Sequence, residues 1–185
     1  MPGFSFCLLS CRQMSEQSYK AKSWIDPRLA LSVSRLSGRG AFAGNHIRAG
    51  EIVIIWGGRL FTASDIEAGL ARRNSVAEIG EGIYLGASED DPESIDDYIN
   101  HSCDPTCWMV DQVRIAARRD IQPDEELTLD YAMFSSGSGW RIDDCRCGSQ
   151  LCRSTITGSD WKVPELQERY RDHFSPYLNA RIAAL

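Results

Sequence analysis

Apolar and polar residues alternate with a period of two in several short windows, and a helical period shows in only two places. Leu31 and Val33 alternate with Ser32 and Ser34, the pattern of a half-buried strand, before Gly38, Gly40 and Gly44 break it into a loop. Residues 52–56 (Ile-Val-Ile-Ile-Trp) form an unbroken apolar run suited to a fully buried strand, closed by Gly57-Gly58. Thr62-Ala63-Ser64-Asp65 has the order of a capping box, with Ile66 and Leu70 four apart and Arg72-Arg73 near the far end, so a helix is predicted there. Residues 83–87 read as a further strand, and 89–97 as an acidic loop. Trp108-Met109-Val110 and residues 113–117 flank a turn at Asp111-Gln112, the pattern of a hairpin. Leu127, Leu129 and Tyr131 alternate with Thr128 and Asp130. A Gly/Ser-rich loop (135–139) leads to a cysteine cluster, and from Pro164 onward Leu166, Tyr170 and Phe174 recur at i, i+4 and i+8 of a helix. Many short strands with few, peripheral helices predict a mainly β fold.

A chain of 185 residues accommodates one domain with its own core, and 43% apolar with 25% charged residues is ordinary for a globular protein. The net charge of −6 argues against direct nucleic-acid binding and suits a basic protein partner. The chain has no apolar run long enough to span a membrane. Seven cysteines is an odd number. Leu8-Leu9-Ser10-Cys11 resembles a lipoprotein cleavage box, but no Lys or Arg precedes it, so no signal peptide is expected. Residues 1–13 read as disordered or as a mis-assigned start ahead of Met14. Clustered cysteines in such a chain point to metal before disulfides, and to a reducing, cytoplasmic setting, with the nucleus or export to a host cell also open.

Cys145-x-Cys147-x4-Cys152 supplies three thiolates, one short of the tetrahedral set that zinc prefers. Alone, this motif is equally a structural zinc knuckle. Gly38-Arg39-Gly40 is followed next by Gly44, so it lacks the spacing and the helix start of a dinucleotide-binding loop.

The order Asn100-His101-Ser102-Cys103-Asp104-Pro105, then Glu126-Leu127-Thr128-Leu129-Asp130-Tyr131, then the cysteine motif, resembles the SET-domain protein lysine methyltransferases with a post-SET zinc segment. The resemblance runs from Gly38-Arg39-Gly40 to about Trp161, in a compact form without a pre-SET cysteine array. It implies an N-terminal extension (1–26), a SET domain (27–134) of short curved sheets with a threaded C-terminal segment, a post-SET zinc segment (135–161) and a C-terminal helical tail (162–185). It further implies methyl transfer from S-adenosylmethionine to a lysine side chain of a protein. Gly38, Arg39, Gly40, Tyr84, Asn100 and His101 would then hold the cofactor, and Tyr131 would be the catalytic tyrosine. Trp56 and Leu129 would line the lysine channel, and Cys103 would complete the zinc set of Cys145, Cys147 and Cys152, with Cys107 as its rival.

The chain departs from the family pattern at four places. Asp97-Tyr98 stands where an arginine-aromatic pair is usual, and Thr106 where asparagine is. Trp56 replaces a channel tyrosine, and Leu129 occupies a Phe/Tyr position that influences how many methyl groups are added. A leucine there, offering no hydroxyl, predicts products beyond monomethyl-lysine. The acidic stretch Glu89, Asp90, Asp91, Glu93, Asp96 and Asp97 would attract a basic substrate. A second function class remains open at this point: a catalytically silent SET module that uses its zinc-stapled fold to bind a protein partner.

Overall fold

Strand pairing in the computed structural model, which describes residues 19–137 and 139–185, follows the apolar runs closely. Sheet one has the order β1 (Trp24–Ile25), β4 (Ile52–Ile55), β10 (Arg114–Ala117), β9 (Cys107–Met109), all antiparallel. Its inner strand carries the fully buried Val53 and Ile54, and β9 and β10 are the expected hairpin. Sheet two has the order β2 (Leu29–Val33), β3 (Arg39–Ala43), β11 (Glu126–Leu129), β8 (Asn100–His101). Its β11–β8 pair is parallel, bringing together two segments far apart in sequence. A third sheet orders β5 (Arg59–Thr62), β7 (Ile83–Gly86) and β6 (Ala77–Gly80), and β12 (Arg141–Ile142) pairs with β13 (Ile156–Thr157). The fold is mainly β with few short helices, as the pattern predicts.

Four local expectations differ from what forms. The glycines at 38, 40 and 44 do not make a loop of the whole stretch, because residues 39–43 form β3 between β2 and β11. Val33 is exposed, so the half-buried face of β2 ends before it. The capping box at Thr62 is present, with Asp65 bonding back to the Thr62 N–H at 2.7 Å. Yet α1 is only Ala63–Glu67, because it buries no residue and has no packing to extend it. The C-terminal helix is split into α2 (Pro164–Arg169) and α3 (Pro176–Ile182). Asp172 lies between them at φ 66°, and Pro176 holds Ser175 in an extended conformation, so one continuous helix cannot form. The period still marks the right residues: Leu166, Tyr170, Phe174 and Leu178 are all buried in the main core beside Ile54, Met109, Leu127 and Met133. The tail is therefore part of the core. The N-terminal expectations, including Cys7, Cys11 and Met14, fall outside the described residues. No helix among the described residues is long and apolar enough to cross a membrane.

Candidate active site

Parallel pairing sets Thr128 opposite Asn100 and Leu129 opposite His101. The Asn100 amide donates to the carbonyls of Ser37 (3.3 Å) and Arg39 (2.9 Å) and to Glu126 Oε1 (2.7 Å). Glu126 Oε2 accepts from the Ser34 hydroxyl at 2.8 Å, so one carboxylate ties the 34–40 loop to β8. This packing requires glycine at position 40, where a Cβ would lie 2.2 Å from Glu126 Oε1. The Arg39 side chain turns away: it donates to Glu93 at 2.7 Å and to the Tyr98 hydroxyl, and lies over the Tyr98 ring. Its main chain alone faces Asn100.

Burial lowers the pKa of His101 to about 4, against the opposing pull of Asp130, so the ring is neutral near pH 7. Its Nδ1 accepts the Tyr131 N–H at 3.3 Å, which leaves Nε2–H to donate to Cys103 Sγ at 3.3 Å. The Tyr131 hydroxyl donates to the Ile99 carbonyl at 2.7 Å. Burial, with Glu126 adding to it, raises the pKa of this phenol, so it stays protonated. Its ring meets those of His101 (5.2 Å between centroids), Phe134 (5.5 Å) and Trp140 (5.5 Å), and Trp56 meets Phe134 edge-on at 5.2 Å. An aromatic enclosure thus surrounds the end of β11.

Asp130 is fully buried beneath this enclosure. It accepts two bonds from the Arg153 guanidinium (2.6 and 2.8 Å), one from the Tyr170 hydroxyl (3.1 Å) and one from the Ala132 N–H (3.1 Å). Arg153 also reaches Asp160 at 3.0 Å, and its own N–H donates to Cys103 Sγ at 3.4 Å.

The sulfurs of Cys103, Cys145, Cys147 and Cys152 all lie within 4.8 Å of one another. Four sulfurs around zinc at about 2.3 Å would be roughly 3.8 Å apart, so the set needs only a small contraction. Burial raises the pKa of the Cys103 thiol, and a bound cation would stabilise the thiolate that burial disfavours. The donor set therefore fits zinc. Cys107 is buried on β9 and is not in this group. The cysteine segment faces Asn100 across a cleft of about 500 Å³. Leu36, Ser37, Gly38, Asn100, His101 and Tyr131 line one side, and Ile142, Asp144, Cys145, Arg146 and Cys147 the other. That volume suits a small-molecule ligand.

A family model described as SET domain matches residues 38–132, just over half of the chain. The chain belongs to the SET-domain family. It is 35% identical over 159 residues to the histone-lysine N-methyltransferase TRX1 of Oryza sativa subsp. japonica, covering 77% of this chain and 15% of that protein. Histone H3-lysine(4) N-trimethyltransferase ATX1 of Arabidopsis thaliana is 30% identical over 164 residues, covering 80% and 15%. The chain thus spans only about 15% of the length of these curated relatives. Among solved structures, Arabidopsis thaliana SUVH6 in complex with SAM has a TM-score of 0.57 at 20% identity, covering 71% of this chain and 33% of that one. The methyltransferase domain of human SETMAR has a TM-score of 0.55 at 19% identity, covering 70% and 58%. These neighbours share the SET fold.

Within this SET domain, Gly38, Asn100, His101 and Tyr131 line one cleft, and Cys145 and Cys147 close it. Gly40 and the Arg39 main chain support it from behind. Tyr84 lies on β7 opposite Phe61 and does not line the cleft. Trp56 joins the aromatic enclosure, whereas Leu129 is buried in the core and is not among the lining residues. Asp97 is buried and paired with Arg72 at 2.8 Å, so it stands apart from the cleft. Sequence reasoning missed Glu126, the Asp130–Arg153 pair, Phe134 and Trp140. Their available signals were slight: Glu126 sits in a run of acids, and Trp140 borders a Gly/Ser-rich loop.

Proposed function

We propose that this SET domain transfers the methyl group of S-adenosylmethionine to the side-chain amine of a lysine in a protein. The observation that carries the reading is the convergence of Asn100, His101 and Tyr131 on one cleft, closed on its far side by the cysteine segment. The printed names of the relatives, histone-lysine N-methyltransferases, support the same reaction class.

S-adenosylmethionine supplies an electrophilic methyl on a sulfonium. The Gly38 loop and Asn100 would hold it, with Glu126 fixing the loop. The acceptor amine must be neutral, although a free lysine has a pKa of about 10.4. Enclosure by Trp56, Phe134, Trp140 and Tyr131 strips water from the ammonium and favours its loss of a proton. The Tyr131 hydroxyl, protonated and anchored at Ile99, would align the nitrogen lone pair with the methyl carbon. The C–N bond then forms as the C–S bond breaks and a neutral thioether leaves. Positioning of this kind supplies several kcal/mol of the barrier. Cys103, Cys145, Cys147 and Cys152 would hold zinc, keeping the post-SET segment against β8.

The acceptor is a protein segment with an exposed lysine, and the net charge of −6 favours a basic one. The acidic 89–97 stretch contributes less than its sequence suggests, because Asp91, Glu93 and Asp97 are paired with Arg59, Arg39 and Arg72. Transfer of a labelled methyl group by the zinc-loaded protein to basic proteins, with Tyr131→Phe and Cys147→Ser alongside, tests the reading. Label on lysine that is lost in both variants is expected. Neither transfer nor cofactor binding, across histone and ribosomal proteins alike, would favour the silent binding module instead.

A further inference from the structure

The Gly/Ser-rich loop after the SET core reads as a slack connection, yet it is held from three directions. The Ser136 N–H and hydroxyl both donate to Glu78 Oε2, at 2.7 and 2.8 Å, and that carboxylate on β6 is 8% exposed. With its proton committed to Glu78, the Ser136 hydroxyl accepts from Arg181 of α3 at 3.0 Å. Arg181 is fixed in turn by the Tyr177 hydroxyl at 2.9 Å and by the face of Trp161, 4.5 Å from its centroid. Gly137 is pressed against Gly158, where a Cβ would lie 2.0 Å from the Gly137 carbonyl oxygen.

What this loop carries gives the clamp its meaning. Phe134 precedes Ser136 by two residues, Trp140 follows Gly137 by three, and both rings pack on Tyr131. The Trp140 N–H donates to the Gly137 carbonyl at 3.2 Å, so movement of the loop moves that wall directly. Phe134 is held by the turn after Tyr131, its N–H donating to the Tyr131 carbonyl at 3.2 Å, whereas Trp140 follows the segment whose outer anchor is the last helix.

We propose that Arg181, acting through Ser136 and Glu78, is a positioning residue that sets the placement of Trp140 against Tyr131 and so the fit of the acceptor lysine. The inference rests on the methyl-transfer reading for its catalytic consequence, but its geometric content stands apart from activity. Arg181→Ala frees the loop, whereas Arg181→Lys retains a donor able to reach Ser136. Ser136→Ala removes the relay while leaving the Arg181–Tyr177 contact in place.

The test combines two readouts on the full zinc-loaded chain. In fluorine NMR with fluorotryptophan, the Trp140 resonance, assigned with Trp140→Phe, should shift or broaden in Arg181→Ala and Ser136→Ala and return towards wild type in Arg181→Lys. In steady-state assays, kcat with a protein acceptor should fall about tenfold in the first two variants, and KM for S-adenosylmethionine and zinc content should hold. A Trp140 resonance unchanged in both variants overturns the proposal. So does an equal loss of cofactor binding and turnover, the mark of general destabilisation. A shifted resonance in a protein that methylates nothing supports the clamp and refutes only the methyl-transfer reading.

Discussion

Replacing Arg153 with methionine removes one partner of the most deeply buried ion pair around the site while keeping an unbranched apolar stem. Asp130 has no exposed side-chain surface and Arg153 has 18%, and two short bonds join them. Removing one member of a buried pair costs about 3–5 kcal/mol, because the other charge is stranded. Here Asp130 would keep the Tyr170 hydroxyl and the Ala132 N–H, so the lower end, about 3 kcal/mol, is expected. For a chain of this size that is a fall in Tm of roughly 6–12 °C. Asp130→Asn should cost less, since Arg153 is partly solvated and still reaches Asp160. The double variant should be more stable than the sum of the two single losses implies, by about 2 kcal/mol. Urea denaturation at saturating zinc, followed by circular dichroism, measures all four corners of the cycle. A loss below about 1 kcal/mol in Arg153→Met, or strict additivity, would refute the argument that Asp130 is a stranded charge.

Two further substitutions probe the loop and the metal set. Gly40→Ala forces Glu126 away from Asn100, so S-adenosylmethionine should bind at least tenfold more weakly by calorimetry, with about 1–3 kcal/mol lost in stability. Cys107→Ser buries a hydroxyl on β9 and should cost about 1–3 kcal/mol while leaving one zinc per chain by atomic absorption. Cys103→Ser should instead lose tight zinc binding; unchanged affinity there would remove Cys103 from the ligand set.

The parts of this site that the sequence made legible are those that depend on residue type at fixed spacing. The resemblance points to Asn100-His101, Tyr131 and the cysteines through motifs of fixed residue type and order, and the fold gathers Asn100, His101, Tyr131, Cys145 and Cys147 around one cleft. The buried charge of Asp130 is not legible this way, because alternation with Leu129 and Tyr131 carries no signal that the polar set is buried too. In the fold Leu127, Thr128, Leu129 and Asp130 are all buried, so neither alternating set faces solvent. The charge that balances Asp130 comes from 23 residues away, a relation no local pattern contains. The acidic loop is partly neutralised in the same way, at Glu93, Asp91 and Asp97. Its counter-ions Arg39, Arg59 and Arg72 belong to other segments. Phe134 and Trp140 carry no spacing signal because a Gly/Ser-rich loop separates them, and both still pack on Tyr131.

The adjacency of Cys152 and Arg153 has an energetic consequence that links metal to core. A single peptide unit joins a zinc-set sulfur to the guanidinium that neutralises Asp130, and the Arg153 N–H also reaches the Cys103 sulfur. Whatever fixes Cys152 reduces the freedom Arg153 must lose to reach Asp130, and the converse holds equally, because coupling free energies are reciprocal. Arg153→Met should therefore bind zinc more weakly although it alters no ligand. A coupling of about 1–2 kcal/mol corresponds to roughly a five- to thirtyfold loss in zinc affinity. Competition with a chromogenic chelator at fixed pH measures it. A wild-type zinc affinity in Arg153→Met, with the folded state intact, would mean that the cysteine set is ordered independently of the buried pair. Cys103 would then be the residue that couples the metal set to the core.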